Sequence, residues 1–380
     1  MNTSARRIVY LTGTRADFGL MRSTLLRIAA TPGLELSVLV TGMHLSAAHG
    51  NTIDEIRASG LRICAEVPVD MDTRSGESMS LGLADILRGV TTALARGKPD
   101  MLLLLGDRGE MLAGAIAALH LGIACVHIHG GERSGTVDEP VRHAISKLAT
   151  WHLVATPGSR ERLVRMGEDP SRIHVTGAPG LDDLLGTPVM PRADCLAALG
   201  LAADAQFVLA VFHPVVQQAG QAAQQTQALA GALAAVGLPV VWMAPNADAG
   251  SREILQALDA TPLPPGSLRI THLARPVFTA ALAHAQLLAG NSSSGIIEAA
   301  SFGTPVVNVG DRQSMRERNT NVIDTPAEAA QIAAAVATAL QRGRGACDNV
   351  WGDGKAGERI AGLLASLPTG GAVLEKVNTY

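Results

Sequence analysis

Residues 101–131 read MLLLLGDRGEMLAGAIAALHLGIACVHIHGG, and the fold class can be inferred from their pattern. The apolar runs at 101–105 and 124–128 predict two strands, and residues 110–119 between them predict a helix. Strands that are apolar throughout, rather than alternating with polar residues, are typical of a sheet that is covered on both faces. A strand, a helix and a second such strand in succession therefore predict a parallel α/β unit.

The same alternation continues on both sides of this stretch. In the first half, strands are predicted at 7–12, 36–40, 61–67, 152–155 and 173–175, and helices at 17–30, 52–59, 78–96, 138–148 and 159–166. After a loop rich in glycine and proline at 177–192, strands are predicted at 207–212, 238–243, 268–271, 286–288 and 306–309, and helices at 327–341 and 356–367. We therefore predict two doubly wound Rossmann-like domains, at residues 1–185 and 186–380, and leave open whether the final helices pack back on the first. Two such sheets in tandem should place a ligand in the cleft between them, at the carboxyl ends of their strands.

The composition excludes several classes of protein. Of the 380 residues, 47% are apolar, which excludes a disordered chain. The net charge is −3 and the 31 basic residues are scattered, which argues against a surface for nucleic acid or membrane. Cys64, Cys125, Cys195 and Cys347 lie far apart in the sequence, which argues against a disulfide framework or a structural zinc site. Because the N-terminus lacks a signal-like apolar run and no run reaches membrane-spanning length, we expect a cytoplasmic protein.

The turn after the first predicted strand reads GTRADFG at 13–19. Glycine lets a ligand approach the backbone, and the free N–H groups of the following helix face the same edge. The guanidinium of Arg15 is suited to binding an anion there. The sequence contains neither GxGxxG nor GxxxxGK[ST], so we expect neither a dinucleotide nor another cofactor.

Asp107 and Arg108 directly follow the apolar run at 101–105. Charged side chains at the end of a buried strand are costly unless they are paired or used in function. One interpretation is a structural ion pair between Asp107 and Arg108 that caps the next helix. The interpretation that we favour is a role for both residues in an active site.

The segment VHIHGGE at 126–132 is followed by DEPVRH at 138–143. Period-two alternation predicts that His127 and His129 lie on one side of the strand. A metal site would need a third ligand that the spacing does not supply, so we expect no metal. Imidazole close to carboxylates is better suited to acid–base catalysis near neutral pH, although acids in a first helical turn can also complement the helix dipole. The candidate catalytic residues in this segment are His129, Glu132, Asp138 and Glu139.

The segment GNSSSGIIE at 290–298 combines a strand end, three hydroxyl residues and the start of a helix. Hydroxyls and N-terminal amides together predict a cradle for an anion, with simple helix capping by serine as the alternative. Glu298, one turn later, can accept hydrogen bonds from ribose hydroxyls. Polar residues also follow the other strands of this half of the chain. The candidate ligand-contacting residues here are Ser292, Ser293, Ser294, Glu298, Arg312, His213 and Asn246.

These motifs together resemble the hydrolysing UDP-N-acetylglucosamine 2-epimerases. The resemblance covers nearly the whole chain through GTRADFGL, VTGMHL, LGDRGEML, HIHGGE, RHAISKLA, FHP, NADAGS, GNSSSGIIE and GDRQ in the same order. It implies two Rossmann-like domains of the GT-B type, a homo-oligomer such as a dimer or tetramer, and UDP bound mainly by the second domain. It also implies elimination of UDP across carbons 1 and 2, followed by hydration of the glycal to N-acetylmannosamine for sialic-acid-type synthesis.

The resemblance assigns roles to individual residues. Asp107 and Asp138 resemble catalytic carboxylates, and His129 stands where non-hydrolysing relatives have a catalytic glutamate, so His129, Glu132 or Glu139 takes that role. His213 is a further candidate for catalysis as well as for contact with the nucleotide. The positions that resemble nucleotide contacts are Arg15, Arg108, His213, Asn246, Ser292, Ser293, Glu298 and Arg312.

The resemblance leaves several related functions open. Close relatives act on UDP- or GDP-linked diacetamido-trideoxy sugars such as N,N'-diacetylbacillosamine, for legionaminic-acid-type synthesis, by the same chemistry. Less favoured alternatives are a non-hydrolysing epimerase, a GT-B glycosyltransferase and a non-catalytic sensor of nucleotide sugars.

Overall fold

Two separate parallel sheets organise the chain, as the sequence predicts. The structure, a computed structural model, describes residues 5–46, 51–70, 76–133, 138–245, 250–271 and 273–379. One unit comprises Met1–Asp183 together with Trp351–Tyr380, and the other comprises Leu184–Val350.

The first unit contains a seven-stranded sheet. Its strands are β1 (Arg6–Thr12), β2 (Leu34–Thr41), β3 (Ile63–Val67), β4 (Met101–Leu105), β5 (Ala124–Ile128), β6 (Trp151–Val154) and β7 (Ile173–Val175). Their order is β3-β2-β1-β4-β5-β6-β7, and every neighbouring pair is parallel. The direction of winding therefore reverses between β1 and β4, which is where doubly wound sheets open a crevice for ligands.

Helices cover both faces of this sheet. They are α1 (Arg15–Ala29), α2 (Ile53–Ala58), α3 (Gly76–Gly97), α4 (Gly109–Leu121), α5 (Asp138–Leu148) and α6 (Pro157–Arg165), followed by α7 (Gly180–Gly186) at the boundary between the units. In β1, Ile8 and Tyr10 pack on one face with residues of α1, whereas Val9 and Leu11 pack on the other with residues of α3 and α4. Successive strand residues point to opposite faces, so burial on both faces explains the unbroken apolar runs.

The second unit contains a six-stranded parallel sheet. Its strands are β8 (Val208–Val211), β9 (Val240–Met243), β10 (Leu268–Ile270), β11 (Leu287–Gly290), β12 (Val306–Val309) and β13 (Val322–Thr325), in the order β10-β9-β8-β11-β12-β13. Its helices are α8 (Arg192–Leu199), α9 (Ala222–Ala234), α10 (Ser251–Ala260), α11 (Arg275–His284), α12 (Ser293–Ile297) and α13 (Ala329–Arg342). The sequence predicted five strands here and missed β13. This strand lies at the edge of the sheet and is only partly buried, so it has no apolar run.

The final helix, α14 (Ala356–Ser366), belongs to the first unit and packs against α1. Its first turn is held by Asp182, whose carboxylate accepts hydrogen bonds from Ala356 N at 2.9 Å and Gly357 N at 2.6 Å. Asp182 lies in α7, within the segment 177–192 that the sequence predicted as a loop. That prediction was wrong for α7, because the buried Leu181 and Leu184 anchor a short helix despite the flanking glycines and prolines.

In the described part of the chain, no helix has both the length and the apolar character needed to cross a membrane.

Candidate active site

The turn between β1 and α1 is built around a buried carboxylate. Thr14 caps the helix in a capping box with Asp17, and Asp17 also accepts hydrogen bonds from Thr12 Oγ1 and from Gly13 N at 3.0 Å. Burial raises the pKa of Asp17 to about 6, although these hydrogen bonds work in the opposite direction. Arg15 is the first residue of the helix; its side chain is 63% exposed and its Nε lies 2.8 Å from Glu55 Oε1. The turn is therefore rigid, and it presents Arg15 to solvent.

Glu110 is a buried carboxylate that the sequence analysis did not single out. It lies in the first turn of α4 and accepts hydrogen bonds from Arg108 Nε and Nη2, each at 3.2 Å. A Cβ atom at Gly13 or Gly42 would lie only 3.0–3.1 Å from Glu110 Oε1, so the turns after β1 and β2 both close on this carboxylate. The sequence could have indicated Glu110, because it is the single acidic residue at the start of a mostly apolar helix.

Asp107 pairs with Arg142 rather than with Arg108. Arg142 Nη2 donates to Asp107 Oδ2, and Arg142 Nη1 donates to the carbonyl oxygen of Glu132 at 3.0 Å. The interpretation of Asp107 and Arg108 as a mutual ion pair was therefore wrong. Arg142 is buried in α5, and so this helix links the end of β4 to the turn after β5.

His129 and Glu132 form a close pair in the turn after β5. His129 Nδ1 contacts Glu132 Oε1, with side chains 16% and 3% exposed respectively. A carboxylate that faces Nδ1 favours the tautomer with the ring proton on Nδ1, which leaves Nε2 for proton exchange. His129 has a φ of 64°, a left-handed conformation that is uncommon outside glycine. The turn thus holds the imidazole in a fixed orientation.

His127 has a structural role. Its Nε2 lies 2.7 Å from the Gly106 carbonyl oxygen and its Nδ1 lies 3.1 Å from Ser146 Oγ. Burial lowers its pKa to about 3, so the ring is neutral at physiological pH. The expectation that both histidines are acid–base groups was therefore wrong for His127, because β5 buries its ring completely.

The start of α5 supplies Asp138 and Glu139. Asp138 is exposed, and it lies within electrostatic range of Arg108. Burial works to lower the pKa of Arg108, but the negative charges of Glu110, Asp17 and Asp138 raise it. Glu139 Oε1 instead lies 3.6 Å from His143 Nε2, one turn along the helix. The two neighbouring acids therefore have different partners.

In the second unit, Asn291 joins the carboxyl ends of three strands. Its side chain accepts from His213 N at 2.7 Å and donates to His213 O at 2.8 Å. Its carbonyl oxygen accepts from Arg312 Nη1 and from Gln313 Nε2, both at 3.1 Å. Gly290 precedes it with a φ of 139°, and a Cβ atom there would overlap the Val211 carbonyl. This arrangement gathers His213 and Arg312 beside the serine turn.

The serine turn caps a single turn of helix. Ser292 Oγ accepts from Ser294 N at 3.3 Å and lies 2.8 Å from Ser294 Oγ, and α12 begins at Ser293. Glu298 Oε2 lies 3.1 Å from Arg275 Nη1. Burial raises the pKa of Glu298, and Arg275 offsets part of that effect. Asn246, another candidate contact, lies outside the described residues.

Each unit thus gathers its own set of predicted site residues. In the first unit, Asp107, Arg108, His129, Glu132 and Asp138 follow β4 and β5 or begin α5, and in the second, His213, Ser292, Ser293, Ser294 and Arg312 surround Asn291. Over the ranges that the structure describes, His, Cys, Asp and Glu side chains form no group of three or more that could hold a metal ion.

Known proteins resemble the chain along its whole length. A sequence model of the family described as UDP-N-acetylglucosamine 2-epimerase matches residues 26–365. A UDP-N,N'-diacetylbacillosamine 2-epimerase (hydrolyzing) of Legionella pneumophila is 46% identical over 99% of this chain and 100% of its own length. A UDP-N-acetylglucosamine 2-epimerase of Neisseria meningitidis is 36% identical over 92% of this chain and 91% of its own length.

Solved structures share the fold at low sequence identity. The UDP-GlcNAc 2-epimerase of Neisseria meningitidis bound to UDP-GlcNAc superposes with a TM-score of 0.77 and 17% identity, covering 94% of this chain and 99% of the other. The calicheamicin glycosyltransferase CalG4 superposes with a TM-score of 0.54 and 16% identity, covering 97% and 100%. These likenesses confirm the predicted class of two Rossmann-like units shared with GT-B glycosyltransferases.

Proposed function

This chain belongs to the family of hydrolysing UDP-N-acetylglucosamine 2-epimerases, and we propose that it converts a UDP-linked 2-acetamido sugar and water into UDP and the free sugar epimerised at carbon 2. The observation that carries the proposal is the continuous set of contacts from Asp107 through Arg142 and Glu132 to His129. These contacts fix an imidazole and a carboxylate at neighbouring strand ends, where a reaction by proton transfer needs them.

The reaction has two halves. A base takes the hydrogen from carbon 2 as a proton, the electron pair of that bond forms the carbon 1–carbon 2 double bond, and UDP leaves with the bridging oxygen. Water then adds to the glycal, with hydroxide bonding to carbon 1 and a proton to carbon 2. Elimination followed by hydration leaves the overall oxidation state unchanged, so the chemistry needs no redox cofactor.

Inversion at carbon 2 needs two proton-transfer groups, because the proton leaves from one face of the sugar and another arrives on the opposite face. The His129–Glu132 pair supplies one group, with Glu132 orienting the ring so that Nε2 exchanges the proton. Asp107 and Asp138 are the two candidates for the other. Arg142 neutralises Asp107, whereas Asp138 stands exposed at the start of α5 and near Arg108. This difference favours Asp138 as the second proton-transfer group and Asp107 as the anchor of Arg142.

Departure of UDP needs positive charge and hydrogen-bond donors close to the diphosphate. We place the nucleotide on the second unit, where Ser292, Ser293, Arg312 and His213 surround Asn291. Glu298 is half-buried beside this turn and is suited to accept hydrogen bonds from the ribose hydroxyls. Arg15 and Arg108 of the first unit are the cations proposed to stabilise the developing charge.

Two sugars are candidates for the substrate. Identity of 46% to the Legionella pneumophila enzyme supports UDP-N,N'-diacetylbacillosamine, and identity of 36% to the Neisseria meningitidis enzyme supports UDP-N-acetylglucosamine. UDP-N-acetylglucosamine would give N-acetylmannosamine for sialic-acid-type synthesis, and UDP-N,N'-diacetylbacillosamine would serve legionaminic-acid-type synthesis.

We further propose that the enzyme works in the cytoplasm as a homo-oligomer. Size-exclusion chromatography with light scattering measures the number of subunits.

The decisive experiment follows turnover by proton NMR with UDP- and GDP-linked forms of both sugars. If the reaction proceeds by elimination in heavy water, the free product should carry deuterium at carbon 2. In oxygen-18 water, released UDP should carry no label, whereas carbon 1 of the sugar should carry it before the free sugar exchanges. A product still linked to UDP would contradict hydrolysis, and retention of the original hydrogen at carbon 2 would contradict elimination.

A further inference from the structure

The last residues of the chain are bound tightly along the first unit. Trp151 Nε1 donates to the carbonyl oxygen of Pro368 at 3.1 Å, and Arg172 Nη1 donates to that of Val373 at 2.8 Å. Thr379 N donates to the carbonyl oxygen of Gly167 at 3.1 Å. This C-terminal segment, residues 367–379, is therefore part of the folded unit rather than an appendage.

Within this segment, Lys376 enters a buried cluster of charges. Its Nζ lies 2.5 Å from Glu168 Oε2, 2.7 Å from Ser146 O and 2.8 Å from Ala149 O, so all three ammonium donors have acceptors. Glu168 is fully buried and also receives Lys147 Nζ at 2.9 Å and His152 Nε2 at 3.0 Å. Burial alone would raise the pKa of Glu168, but its hydrogen bonds with His152 and Lys376 hold it at about 2.

The two carbonyl groups that bind Lys376 lie at the carboxyl end of α5. Helix carbonyls at this end lack partners within the helix, and a cation there is favoured by the helix dipole. The ammonium group therefore fixes the end of the helix that, one turn earlier, carries Arg142. Arg142 in turn holds Asp107 and the carbonyl of Glu132.

Ser146 provides a second connection from Lys376 to the turn after β5. Its hydroxyl lies 3.1 Å from His127 Nδ1, while its carbonyl binds Lys376. A Cβ atom at Gly130 would lie 3.0 Å from both Ser146 Oγ and His127 Nδ1. The turn that holds His129 therefore packs so closely against Ser146 and His127 that it leaves little room for a side chain at Gly130.

We propose that Lys376 is a positioning residue for the reaction: by fixing the carboxyl end of α5, it holds Arg142 and the His129 turn in their working geometry. The proposal rests on the proposed function and deepens it. Glu168 supports this role, because its carboxylate holds the ammonium group in place. Catalysis at the strand ends of the first unit then depends on a side chain only four residues from the end of the sequence.

Lys376→Met tests the proposal, with Lys376→Arg as the conservative variant and the exposed Lys355→Met as the matched control. Substitutions in a packed network change the coupling between two sites by a factor of about 2 to 30, and we expect Lys376→Met to lower kcat within that range. The Kd for UDP should be unchanged, because we place UDP on the other unit. Lys376→Arg should recover most of kcat, and Lys355→Met should match the wild type. If Lys376→Met does not fold, Lys376→Gln retains an N–H donor without the charge.

A double-mutant cycle with Arg142→Lys separates positioning from general destabilisation. Coupled residues give non-additive losses in kcat, whereas independent effects add. A folded Lys376→Met variant with wild-type kcat, or losses that add with those of Arg142→Lys, would overturn the proposal.

A measurement that needs no substrate distinguishes failure of the proposed role of Lys376 from failure of the proposed function. In spectra of protein labelled with nitrogen-15 histidine, the His127 Nε2–H resonance should shift in Lys376→Met and not in Lys355→Met. If that shift occurs and no UDP-sugar is hydrolysed by the wild type, the proposed function fails while the connection through α5 stands. An unchanged resonance would overturn the connection itself.

Discussion

Glu132→Gln is the substitution that addresses the proposed chemistry most directly. In the wild type, a carboxylate oxygen faces His129 Nδ1, and both side chains are largely buried. Glutamine has nearly the same shape, so packing is retained while the negative charge is lost. Its amide can also turn its NH₂ group toward Nδ1, which would move the ring proton to Nε2 and remove the base.

The structure sets bounds on the size of the effect. If the contact of His129 with Glu132 contributes as much as a hydrogen bond to a charged group, about 1.5–3 kcal/mol, its loss lowers kcat about 10- to 150-fold when only the orientation of the ring suffers. If the wrong tautomer becomes trapped, the loss approaches about 10⁴-fold, as for the equivalent change in a catalytic triad. Glu132→Ala has no donor to trap that tautomer, so we expect its loss to lie nearer the lower bound.

The assay is the rate of UDP release under saturating substrate, with deuterium incorporation at carbon 2 measured in parallel. Glu161→Gln is the matched control, because Glu161 is an exposed acid of the same unit that pairs only one turn away with Arg165. The Kd for UDP should stay at the wild-type value in all three variants. Glu132→Gln and Glu132→Ala enzymes that are folded and turn over within about twofold of the wild type would refute the role of the pair.

Three further predictions concern other parts of the molecule. Gly290→Ala should lower the free energy of unfolding by at least ~2 kcal/mol in urea titrations, because a Cβ atom there meets the Val211 carbonyl and strains a positive φ; an unchanged midpoint would contradict this. Asp17 has a pKa raised from 3.8 to about 6 in the folded state, so its protonated form favours folding. The wild type should therefore lose stability relative to Asp17→Asn as pH rises from about 4 through 6, and a constant difference would show that the carboxyl is not perturbed. Ser293→Ala combined with Glu298→Ala should weaken UDP binding by at least about 1.5 kcal/mol in calorimetry with or without EDTA. Unaltered binding would show that the nucleotide binds elsewhere.

Most strands could be predicted from the sequence, because burial on both faces leaves an unbroken apolar run. Met101–Leu105 and Ala124–Ile128 are buried at every residue, and both were predicted with both ends correct. Where burial is partial, that signal is lost. Val322–Thr325 pairs only with β12 and has an exposed Asp324, so its four residues do not stand out from a loop.

The strand ends that carry polar residues could be located from the sequence, but their pairings could not. Proximity in sequence suggested that Asp107 pairs with Arg108, whereas the helix after β5 brings Arg142 to it instead. Alternation along β5 predicted that His127 and His129 lie on the same side of the strand. His129, however, adopts a left-handed backbone conformation and so departs from strand geometry. Such choices depend on how three or four segments meet in space, and no local pattern encodes that.

The division of the chain has a consequence for the order in which it is synthesised. Residues Trp351–Tyr380 complete the first unit, yet the ribosome makes them only after all of Leu184–Val350. At roughly 5–20 residues per second, the first unit waits on the order of ten seconds for its last helix. During that time Met21, Leu25 and Ile28 of α1 lack the apolar side chains of Ile360 and Leu364 that cover them in the finished protein. The second unit, by contrast, is one continuous stretch, so the whole of its sheet and all of its own helices are synthesised before the first unit is complete.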